Sequence, residues 1–483
     1  MTAQTILPAN SVTASSFDVA NSVRFDRGSS PTMIRTIPDD GSTTGDRNRW
    51  TFSTWIKRSS LGTLQALFGS YQSANYHTFI GFNTSDQLDV FDQYNGSKNG
   101  QRITNRVFRD VGAFYHLCII WDKNNGTDAL KIRIFVNGLE ELSFATSSVP
   151  GNATTMGADN QDYSIGKQEG VGNHLDAYLC ETVFQDGVAQ NPVDALGEFD
   201  SGSAIFKPID PSGVTFGTNG FYLDFQASGN LGNDANGGTD YTETNIAATD
   251  QSTDTCTNNF ATLNPLGSSI DTTNNVLKEG NLQVDHGDGN YDGGTATFGF
   301  LDNMSGKWYW EVRNNANTGS SNQGEFAGIA YIGSASSTVY DDFGTESYLL
   351  ATTGSNIIYK KDNSAIWTLT DPSGFSAGDI INVALDLDNN KIWFGLNGTF
   401  YDMSDGSTDG DPTGSNGATV SRDYDYLPYF RIVGNTAQLD FNFGSPAFAI
   451  SSGNSDANGH GNFEYAVPSG YFALNTKNLA EHG

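Results

Sequence analysis

Residues 374–378 read Gly-Phe-Ser-Ala-Gly, the spacing of a catalytic serine elbow. Such a serine works at a strained turn from a strand into a helix, with an aspartate and a histidine later in the chain. Here Pro372 precedes the motif and a strand-like run, 380–388, follows it. The later histidines, His460 and His482, fall in an irregular tail. Because the context does not suit nucleophilic catalysis, we interpret the motif as a loop before a strand.

Asp288, Asn290 and Asp292 begin the D-x-N-x-D-G pattern of a calcium loop. A helix-flanked calcium loop needs a glutamate six positions after its glycine, and Gly299 occupies that position. Oxygen ligands of the same kind occur in a second loop, at Asp402, Asp405, Asp409 and Asp411. We predict no cofactor, because solvated polar loops explain both patterns. Calcium bound by Asp288, Asn290 and Asp292 is the alternative.

Paired carboxylates do not indicate an enzyme either. Glycosidases of the jelly-roll type need two facing carboxylates about 5 to 10 Å apart, supplied by a Glu-x-Asp-x-Glu run that is absent here. Glu140 and Glu141 follow a hairpin turn and Asp386 and Asp388 lead into another, so we interpret them as turn and edge charges. The sequence contains no zinc-ligand spacing and no phosphate-binding loop. We predict that the protein is not an enzyme.

Aromatic residues in turn-rich segments are the remaining candidates for function. Sugars are held by stacking of their C–H faces on tyrosine and tryptophan, together with hydrogen bonds from polar side chains. The candidate ligand-binding residues are Tyr71, Tyr76, Tyr94, Tyr340, Asp342, Trp367 and Tyr424. The alternative for each aromatic residue is a side chain that packs against a core and keeps a polar tip in water.

The charge balance excludes some partners. The chain has 25 Lys and Arg against 55 Asp and Glu, a formal net charge of −30. A field of this sign repels nucleic acid and anionic lipid, so we predict no nucleic-acid partner. The same charge favours solubility and opposes self-association. No apolar run approaches the roughly 20 residues that span a bilayer, so we predict no membrane insertion. We also predict that the chain is made in a cytoplasm.

The three cysteines, Cys118, Cys180 and Cys256, form no C-x-x-C pair. Cys118 and Cys180 lie in apolar, strand-like runs, where a thiol usually behaves as a small buried hydrophobe. We therefore interpret the cysteines as reduced residues of the core.

Two segments 260 positions apart (391 − 131) share one pattern. Each has an apolar run, a polar turn, Lys-Ile, a second apolar run and Asn-Gly, in 117–138 and in 383–398. Asn-Gly accepts the positive φ of hairpin turns, so each segment is predicted to be a hairpin that ends in another tight turn. Short alternating strands fill the rest of the chain, which has 55 Gly and only 17% charged residues. We predict an all-β protein with two antiparallel β-sandwich domains joined by a polar connector.

The predicted domain boundaries follow changes in composition. They are an N-terminal arm at 1–20, a first sandwich at 21–206, a polar connector at 207–275, a second sandwich at 276–448 and an irregular C-terminal tail at 449–483. The connector is rich in Asn, Thr, Asp and Gly and is too polar to form its own core.

The first sandwich resembles the concanavalin A-like or laminin-G-like jelly roll. The segments that carry this likeness are Trp50–Trp55, His116–Trp121, Phe135–Gly138 and Gly166–Asp186. The second sandwich resembles a SPRY domain, which is also built from two sheets. Its matching segments are Gly306–Val312, Gly328–Ala330, Gly378–Ile381, Asp386–Gly398 and Phe441–Gly444.

The connector and the tail are similar to segments of tail-fibre-like and structural proteins of tailed phages. The similar segments are Gly220–Phe225, Thr257–Pro265 and Gly470–Glu481. This resemblance implies a structural protein of the virion, as a tail fibre or a capsid decoration. It implies other virion proteins and further copies of the chain as partners, and host-surface glycan or protein as a ligand. The alternative is a carbohydrate-active or carbohydrate-binding protein that is not part of a virion.

Overall fold

The computed structural model describes residues 17–38, 45–266, 275–287, 291–316, 324–331, 346–353, 355–362, 364–371, 375–433 and 436–483. The chain divides into two compact units, of which one ends at Asn258 and the other begins at Asn259. Both consist mainly of antiparallel strands, which confirms the predicted all-β class. Among the described residues, no helix is both long and apolar enough to cross a membrane.

The first unit contains strands in the following order. They are β1 (Ser22–Phe25), β2 (Thr32–Ile37), β3 (Arg49–Arg58), β4 (Gln65–Ser73), β5 (Tyr76–Phe82), β6 (Gln87–Tyr94), β7 (Ser97–Val107), β8 (Tyr115–Asp122), β9 (Ile132–Val136), β10 (Leu139–Glu140), β11 (Phe144–Ser148), β12 (Gln161–Ile165), β13 (Ala177–Asp186), β14 (Glu198–Phe199), β15 (Phe206–Lys207), β16 (Phe221–Leu223), β17 (Thr242–Thr244) and β18 (Gln251–Ser252). Short 3-10 helices lie at Arg27–Ser29, Asp128–Leu130, Pro211–Gly213 and Ala248–Asp250.

Two antiparallel sheets form the first sandwich. The first sheet has the order β10-β9-β8-β3-β13-β1-β18, with β16 also paired to β13. The second sheet has the order β11-β7-β6-β5-β4-β12-β2-β17. The sheets face each other across an apolar core, where Phe52 of β3 stacks on Phe68 of β4 at 4.6 Å between ring centroids. Trp50 and Trp121, on neighbouring strands of the first sheet, stack at 5.6 Å.

The Asn-Gly turns occur where the sequence predicts them. β8 pairs with β9, and Asn137 and Gly138 then take φ values of 49° and 75° in the turn to β10. In the second unit Asn397 and Gly398 take φ values of 51° and 79° in the corresponding turn. Both hairpins are therefore confirmed, because the left-handed backbone that these two residue types accept is the one observed.

The segment expected to be a polar connector contributes strands to the first sandwich up to residue 258. Its strands β16, β17 and β18 pair with β13, β2 and β1, respectively. Buried polar contacts explain how so polar a segment is held. Asp234 is 3% exposed, accepts a hydrogen bond of 3.0 Å from the backbone N–H of Tyr222 and lies 3.7 Å from a guanidinium nitrogen of Arg35. The boundary between the units therefore falls inside the expected connector.

The second unit contains a further set of strands and one short helix. They are β19 (Asn275–Lys278), β20 (Gln283–His286), β21 (Tyr291–Thr295), β22 (Lys307–Ala316), β23 (Gly324–Tyr331), β24 (Ser347–Thr353), β25 (Asn356–Lys361), β26 (Ser364–Thr370), β27 (Ile380–Asp386), β28 (Lys391–Leu396), β29 (Thr399–Phe400), β30 (Ala418–Thr419), β31 (Tyr426–Val433), β32 (Ala437–Asn442), β33 (Phe472–Ala473) and α1 (Thr476–His482).

These strands again form two sheets. The third sheet of the protein has the order β19-β20-β32-β22-β27-β28-β29, with β30 paired to β28 and β33 paired to β22. The fourth sheet has the order β21-β31-β23-β24-β25-β26. Phe430 of β31 packs against Phe441 of β32 at 5.0 Å between ring centroids, which joins the two sheets across the core.

The tail at 449–483 has few regular elements but is part of the second unit. β33 pairs in parallel with β22, and Leu474 and Leu479 are buried in the core. Asp456 fixes the segment before β33, since its carboxylate accepts hydrogen bonds from the backbone N–H groups of His460 and Ala473 and from the amide of Asn478. Local side-chain hydrogen bonds thus replace regular secondary structure here.

Candidate functional site

The outer face of the first sheet is covered by the chain itself. Its apolar side chains, among them Cys118 and Val183, pack beneath Leu196, Phe216 and Tyr222. A second group on the same face packs beneath Phe206, in a cluster that contains Val19, Trp55, Phe114, Tyr178, Cys180 and Phe206. This face therefore offers no open surface in these two regions.

The outer face of the second sheet carries polar and aromatic side chains that reach solvent. Tyr71 of β4 pairs with Asp162 of β12 on one side and with His77 of β5 on the other. Phe68 and Ile80, whose side chains point into the core, form the pair that lies three residues along each strand from Tyr71 and His77. Because side chains alternate along a strand, Tyr71, His77 and Asp162 share the face opposite the core.

A shallow recess, open to solvent, lies on this outer face. We call it the outer-face recess; it is lined by Ala66, Phe68, Gly69, Ser70, Tyr71, His77, Thr78, Phe79, Ser164, Lys167, Gln168 and Glu169. Pockets for drug-sized ligands usually enclose roughly 300 to 1,000 Å³. The recess encloses far less space than this, so it is a shallow contact surface and not an enclosed pocket.

One wall of the recess is the loop after β12. The ammonium of Lys167 lies 2.9 Å from a carboxylate oxygen of Glu169. The backbone of Gln168 bonds to that of Gly172, and the side chain of Asn173 donates a hydrogen bond of 2.9 Å to the side-chain oxygen of Gln168. These contacts fix the loop and hold the Gln168 amide beside the recess.

Two glycines keep space around Tyr71. Gly170 has a φ of +75°, and a Cβ at this position would lie 2.4 Å from the Tyr71 hydroxyl oxygen. Gly69, between Ser164 and Phe79 in the sheet, is equally constrained, because a Cβ there would lie 2.4 Å from the carbonyl oxygen of Thr78. Any other residue at either position would displace a wall or the floor of the recess.

His77 supplies a buried polar group with unused hydrogen-bonding capacity. The side chain is 8% exposed, its ring lies 6.2 Å from that of Tyr71, and its Nδ1 atom has no hydrogen-bond partner among the described residues. Burial and the nearby charge of Lys98 lower the pKa of His77, against contacts to the backbone of Ser73 and Ala74 that raise it. The imidazole is therefore neutral at neutral pH and can either donate or accept a hydrogen bond.

A small buried apolar cluster lies beside the floor of the recess. Phe79 stacks on Phe91 at 5.1 Å between ring centroids, and Ala66 packs against both. The ammonium of Lys98 lies over the ring of Phe91, and burial lowers the pKa of Lys98 to about 8. The recess thus combines the partly exposed ring of Tyr71, a neutral imidazole, a side-chain amide and an ion pair. This combination suits a ligand with both C–H faces and hydroxyl groups.

The structure separates the three tyrosines predicted in the first unit. Tyr71 lines the recess, whereas Tyr76 and Tyr94 contact each other edge to face at 5.3 Å at the ends of β5 and β6. Tyr76 is adjacent to His77 in β5, so alternation directs it to the opposite face of the sheet. Tyr94 is 36% exposed and Tyr76 is half-buried. One predicted residue therefore belongs to the recess, and the other two form a separate aromatic pair.

The predicted residues of the second unit do not converge. Trp367 is 8% exposed, packs against Tyr359 and Tyr401 and donates a hydrogen bond of 3.3 Å to the carbonyl of Met403, so its ring offers no free face for stacking. Tyr424 is half-buried against Tyr331, at 4.8 Å between ring centroids. Tyr340 and Asp342 lie outside the described residues.

The calcium candidates are only partly described. Asp292 lies in β21, is 5% exposed and has a carboxylate oxygen 3.2 Å from Nε2 of His286. Asp288 and Asn290 lie outside the described residues. In the second candidate loop, Asp402 and Asp411 bind the hydroxyl groups of Ser404 and Thr413, respectively. Within the described part of the chain, no group of three or more His, Cys, Asp or Glu side chains could hold a metal ion.

One serine–histidine pair was not expected from the sequence. The Ser53 hydroxyl lies 2.8 Å from Nε2 of His116, and the imidazole is enclosed by the rings of Trp55 and Phe206. Burial lowers the pKa of His116 to about 3, and its Nδ1 atom has no partner among the described residues. A base this weak does not activate a serine at neutral pH.

Sequence reasoning missed the other residues of the recess. The sequence did not single out His77, Lys167, Gln168 or Glu169. A usable signal exists for His77, since it lies six positions after Tyr71, across the turn between β4 and β5. The loop at 167–170 follows β12, some ninety positions after His77 in the chain. Only the pairing of β12 with β4 brings this loop to Tyr71.

The recess and the two-sheet core define a β-sandwich of the lectin-like jelly-roll type. In agreement, a sequence profile described as the concanavalin A-like lectin/glucanases superfamily matches residues 34–190, a range that contains the whole recess. A search of curated proteins found no match.

Similar solved structures include domains from several proteins. The SPRY domain of human HERC1 is 19% identical, with a TM-score of 0.25 over 37% of this chain and 96% of that chain. Domains LG4-5 of the mouse laminin alpha1 chain are 11% identical, with a TM-score of 0.30 over 89% of this chain and 90% of that chain. Domain 4 of AbnA, a GH43 extracellular arabinanase from Geobacillus stearothermophilus, in complex with arabinotriose, is 14% identical, with a TM-score of 0.22 over 30% of this chain and 63% of that chain.

Proposed function

We propose that the protein is a non-enzymatic binding protein that holds a glycan in the outer-face recess of its first sandwich. The observation that carries this proposal is the pairing of Tyr71 with His77 on the outer face of the second sheet. The buried Nδ1 of His77 has no hydrogen-bond partner within the described part of the chain. A sugar ring stacked on Tyr71 would bring a hydroxyl group to that nitrogen. The neutral imidazole and the Gln168 amide would give the hydrogen bonds that fix its orientation.

The absence of catalysis is part of the proposal. The carboxylates at Glu140 and Glu141 are held in ion pairs, at 2.6 Å from Arg133 and 2.7 Å from Arg106, respectively. Neither is in the recess. A general acid for glycoside hydrolysis needs a carboxyl group beside the sugar, and the carboxyl group at the recess, Glu169, is paired with Lys167.

We place this binding function in a structural protein of a phage virion, as a tail fibre or a capsid decoration. Support comes from the resemblance of residues 220–225, 257–265 and 470–481 to segments of such proteins. Other virion proteins and further copies of this chain would be its partners, and a host-surface glycan would be its ligand. The second candidate is a carbohydrate-binding or carbohydrate-active protein outside a virion. The profile match to lectins and glucanases favours this candidate equally.

A glycan array followed by calorimetric titration of the bound glycan tests the recess. Tyr71→Ala is expected to weaken binding at least tenfold, whereas Tyr94→Ala, which removes a tyrosine from the same unit but from outside the recess, is expected to leave it unchanged. Binding that survives Tyr71→Ala, or an array with no bound glycan, would overturn the proposal. Release of reducing ends from the bound glycan would refute the non-enzymatic part.

Mass spectrometry of purified phage particles tests the virion assignment. The protein is expected among the particle proteins if it is a virion protein, and its absence from them would favour the second candidate.

A further inference from the structure

Cys180 and Cys256 pack in the same apolar cluster, although the residues are 76 positions apart (256 − 180). Cys180 is buried in β13, and Cys256 is half-buried in the segment after β18. Both belong to the apolar cluster around Trp55 and Tyr178, where the two thiols are near enough to interact. In the structure both are free thiols.

The segment that carries Cys256, residues 251–258, is fixed on both sides of the cysteine. Before it, the Asp254 carboxylate pairs with the Lys57 ammonium, and both side chains are 1% exposed. The Ser22 hydroxyl donates a hydrogen bond of 2.6 Å to the carbonyl of Asp254. After it, the hydroxyl oxygen of Thr257 accepts a hydrogen bond of 3.1 Å from the backbone N–H of Val19. The chain on both sides of Cys256 is therefore held in place, with the Cys256 side chain against the cluster that contains Cys180.

We propose that Cys180 and Cys256 form an intramolecular disulfide when the folded chain meets a small disulfide such as oxidised glutathione. The Cys256 thiolate attacks one sulfur of the small disulfide, whose S–S bond breaks, and a first small thiolate leaves. The Cys180 thiolate then attacks the Cys256 sulfur of the mixed disulfide, and a second small thiolate leaves. The protein loses two electrons and two protons, and the small disulfide becomes two thiols.

The order of attack follows from exposure. Cys256 is half-buried, whereas Cys180 is 0% exposed, so the first exchange takes place at Cys256. Burial and the neighbouring Cys180 thiol raise the pKa of Cys256 well above its ordinary value. Since the thiolate is the reacting form, the cross-link is expected to form faster at pH 9 than at pH 7.

The cross-link would join β13, in the middle of the first sheet, to residues 251–258, the last segment of the first unit. β13 pairs with β1 and β3, while residues 251–258 hold Ser22 and Val19 in place. A disulfide between them would therefore retain both ends of the first unit on the sheet. Slower cleavage of residues 251–258 by a protease is the expected consequence.

Cys118 is the matched control within the same chain. It is buried on the same face of the same sheet, but it packs in another cluster, with Ile120, Phe135 and Val183. Its sulfur lies 4.0 Å from the carbonyl oxygen of Gln190. A nonspecific oxidation of buried thiols would therefore consume Cys118 as well, whereas the proposed reaction leaves it free.

The test uses the full chain in its native state, incubated with oxidised glutathione at pH 9. The chain is then denatured in acid and alkylated with a maleimide, and its intact mass is measured. The expected result is one alkylated thiol in place of three, with a linked peptide pair that contains Cys180 and Cys256. Three alkylated thiols, a glutathione adduct that stays on Cys256, or a link to Cys118 would overturn the proposal.

Two variants strengthen the measurement. Cys118→Ser is expected to lose both of its remaining thiols, and Cys256→Ser to keep both. A change in the circular dichroism spectrum of Cys256→Ser would show misfolding. In that case Cys180→Ala, which removes the other thiol of the pair, is measured instead. It is expected to keep the thiols of Cys118 and Cys256. Loss of thiols in a folded variant of either kind contradicts the assignment.

Discussion

The hydroxyl of Tyr222 donates a hydrogen bond of 2.6 Å to Oε2 of Glu181 on the covered face of the first sheet. Both side chains are 6% exposed. Glu181 has a φ of +50° and lies in the bulge of β13 between Cys180 and Val183. Burial raises the pKa of Glu181 to about 8, and the hydrogen bond from Tyr222 only partly opposes this rise. In the folded protein this carboxyl group therefore keeps its proton at neutral pH.

Glu181→Gln is expected to flatten the pH dependence of stability. A carboxyl group whose pKa is raised from 4.5 to about 8 on folding stabilises the fold fully below pH 4.5 and loses this contribution as the pH rises toward 8. Between pH 5 and pH 8, the free energy of unfolding of the natural chain should fall by about 3 kcal/mol relative to the glutamine variant. A pKa shift corresponds to about 1.4 kcal/mol per unit, and part of this titration lies outside the pH range. Scanning calorimetry at several pH values measures this difference.

Two other buried carboxyl groups act in the same direction but cancel in the comparison. Burial raises the pKa of Asp176 to about 7 and that of Asp92 to about 6, so both destabilise the fold as the pH rises. Both are present in the natural chain and in the variant. Parallel pH curves for the two proteins would show that Glu181 does not titrate in this range.

Local patterns in the sequence predict most of the first sandwich. The alternation of Trp50, Phe52 and Ile56 with Ser53 and Lys57 predicts β3 with its apolar side toward the core, because strand periodicity is a property of neighbouring residues. The hairpin turns follow equally from Asn-Gly pairs. Strand existence and turn positions are therefore the part of the fold that a single sequence discloses.

The recess and the burial of Trp367 depend on contacts between distant segments. Tyr71 looks like Tyr76 and Tyr94 in the sequence, and only the pairing of β4 with β12 brings the loop at 167–170 beside it. Trp367 has the exposure of a core residue because the segment at 401–406 packs over it. A turn-rich neighbourhood does not reveal which later segment will cover an aromatic ring, and this explains why the predicted sites were only partly brought together.

Asp86→Asn is expected to destabilise the first unit by about 3 to 5 kcal/mol, because it removes the partner of a buried charge. The Asp86 carboxylate accepts hydrogen bonds from the backbone N–H of Gly62 at 2.7 Å, from Arg109 at 2.9 Å and from Arg58 at 3.1 Å. Arg58 is 0% exposed and lies over the ring of Phe82, so its charge cannot reach water. Asparagine keeps the shape and tolerates the φ of +63° at this position. Chemical denaturation measures the loss.

The matched control for this variant is an exposed ion pair in the same unit. Lys131 pairs with Asp128 at 2.6 Å, and the Asp128 side chain is 71% exposed. Asp128→Asn is expected to cost less than about 1 kcal/mol, because water screens such a pair. Equal losses for the two variants would mean that burial of Arg58 does not set the cost.

Gly170→Ala is expected to weaken glycan binding at least tenfold without unfolding the protein. Its new methyl group would overlap the Tyr71 hydroxyl, 2.4 Å from the added carbon, and would displace the ring from the recess. Gly62→Ala is the matched control, since Gly62 has a similar φ of +71° and nothing within 4 Å of an added Cβ. Both variants should lose about 1 to 2 kcal/mol of stability from the left-handed backbone. Titration calorimetry distinguishes them, and equal binding by both would remove Tyr71 from the site.

Glu311→Gln is expected to loosen the segment at 451–465 from the second unit. The Glu311 carboxylate is 0% exposed and accepts hydrogen bonds from the backbone N–H groups of Glu464 at 3.0 Å and Tyr465 at 2.9 Å, and from the side chains of Tyr309 and Asn442. A glutamine side chain would direct its own N–H group at one of these donors and leave it unsatisfied, a loss of about 1 to 3 kcal/mol.

Limited proteolysis followed by mass spectrometry measures this loosening, with faster cleavage within 451–465 as the expected result. Asp285→Asn is the control, because Asp285 pairs with Lys278 in strands of the same sheet and both side chains are about one-third exposed. This variant should be cleaved at the natural rate, since a solvent-screened pair contributes little to stability. If Glu311→Gln is cleaved no faster than Asp285→Asn, the Glu311 carboxylate does not hold this segment on the third sheet.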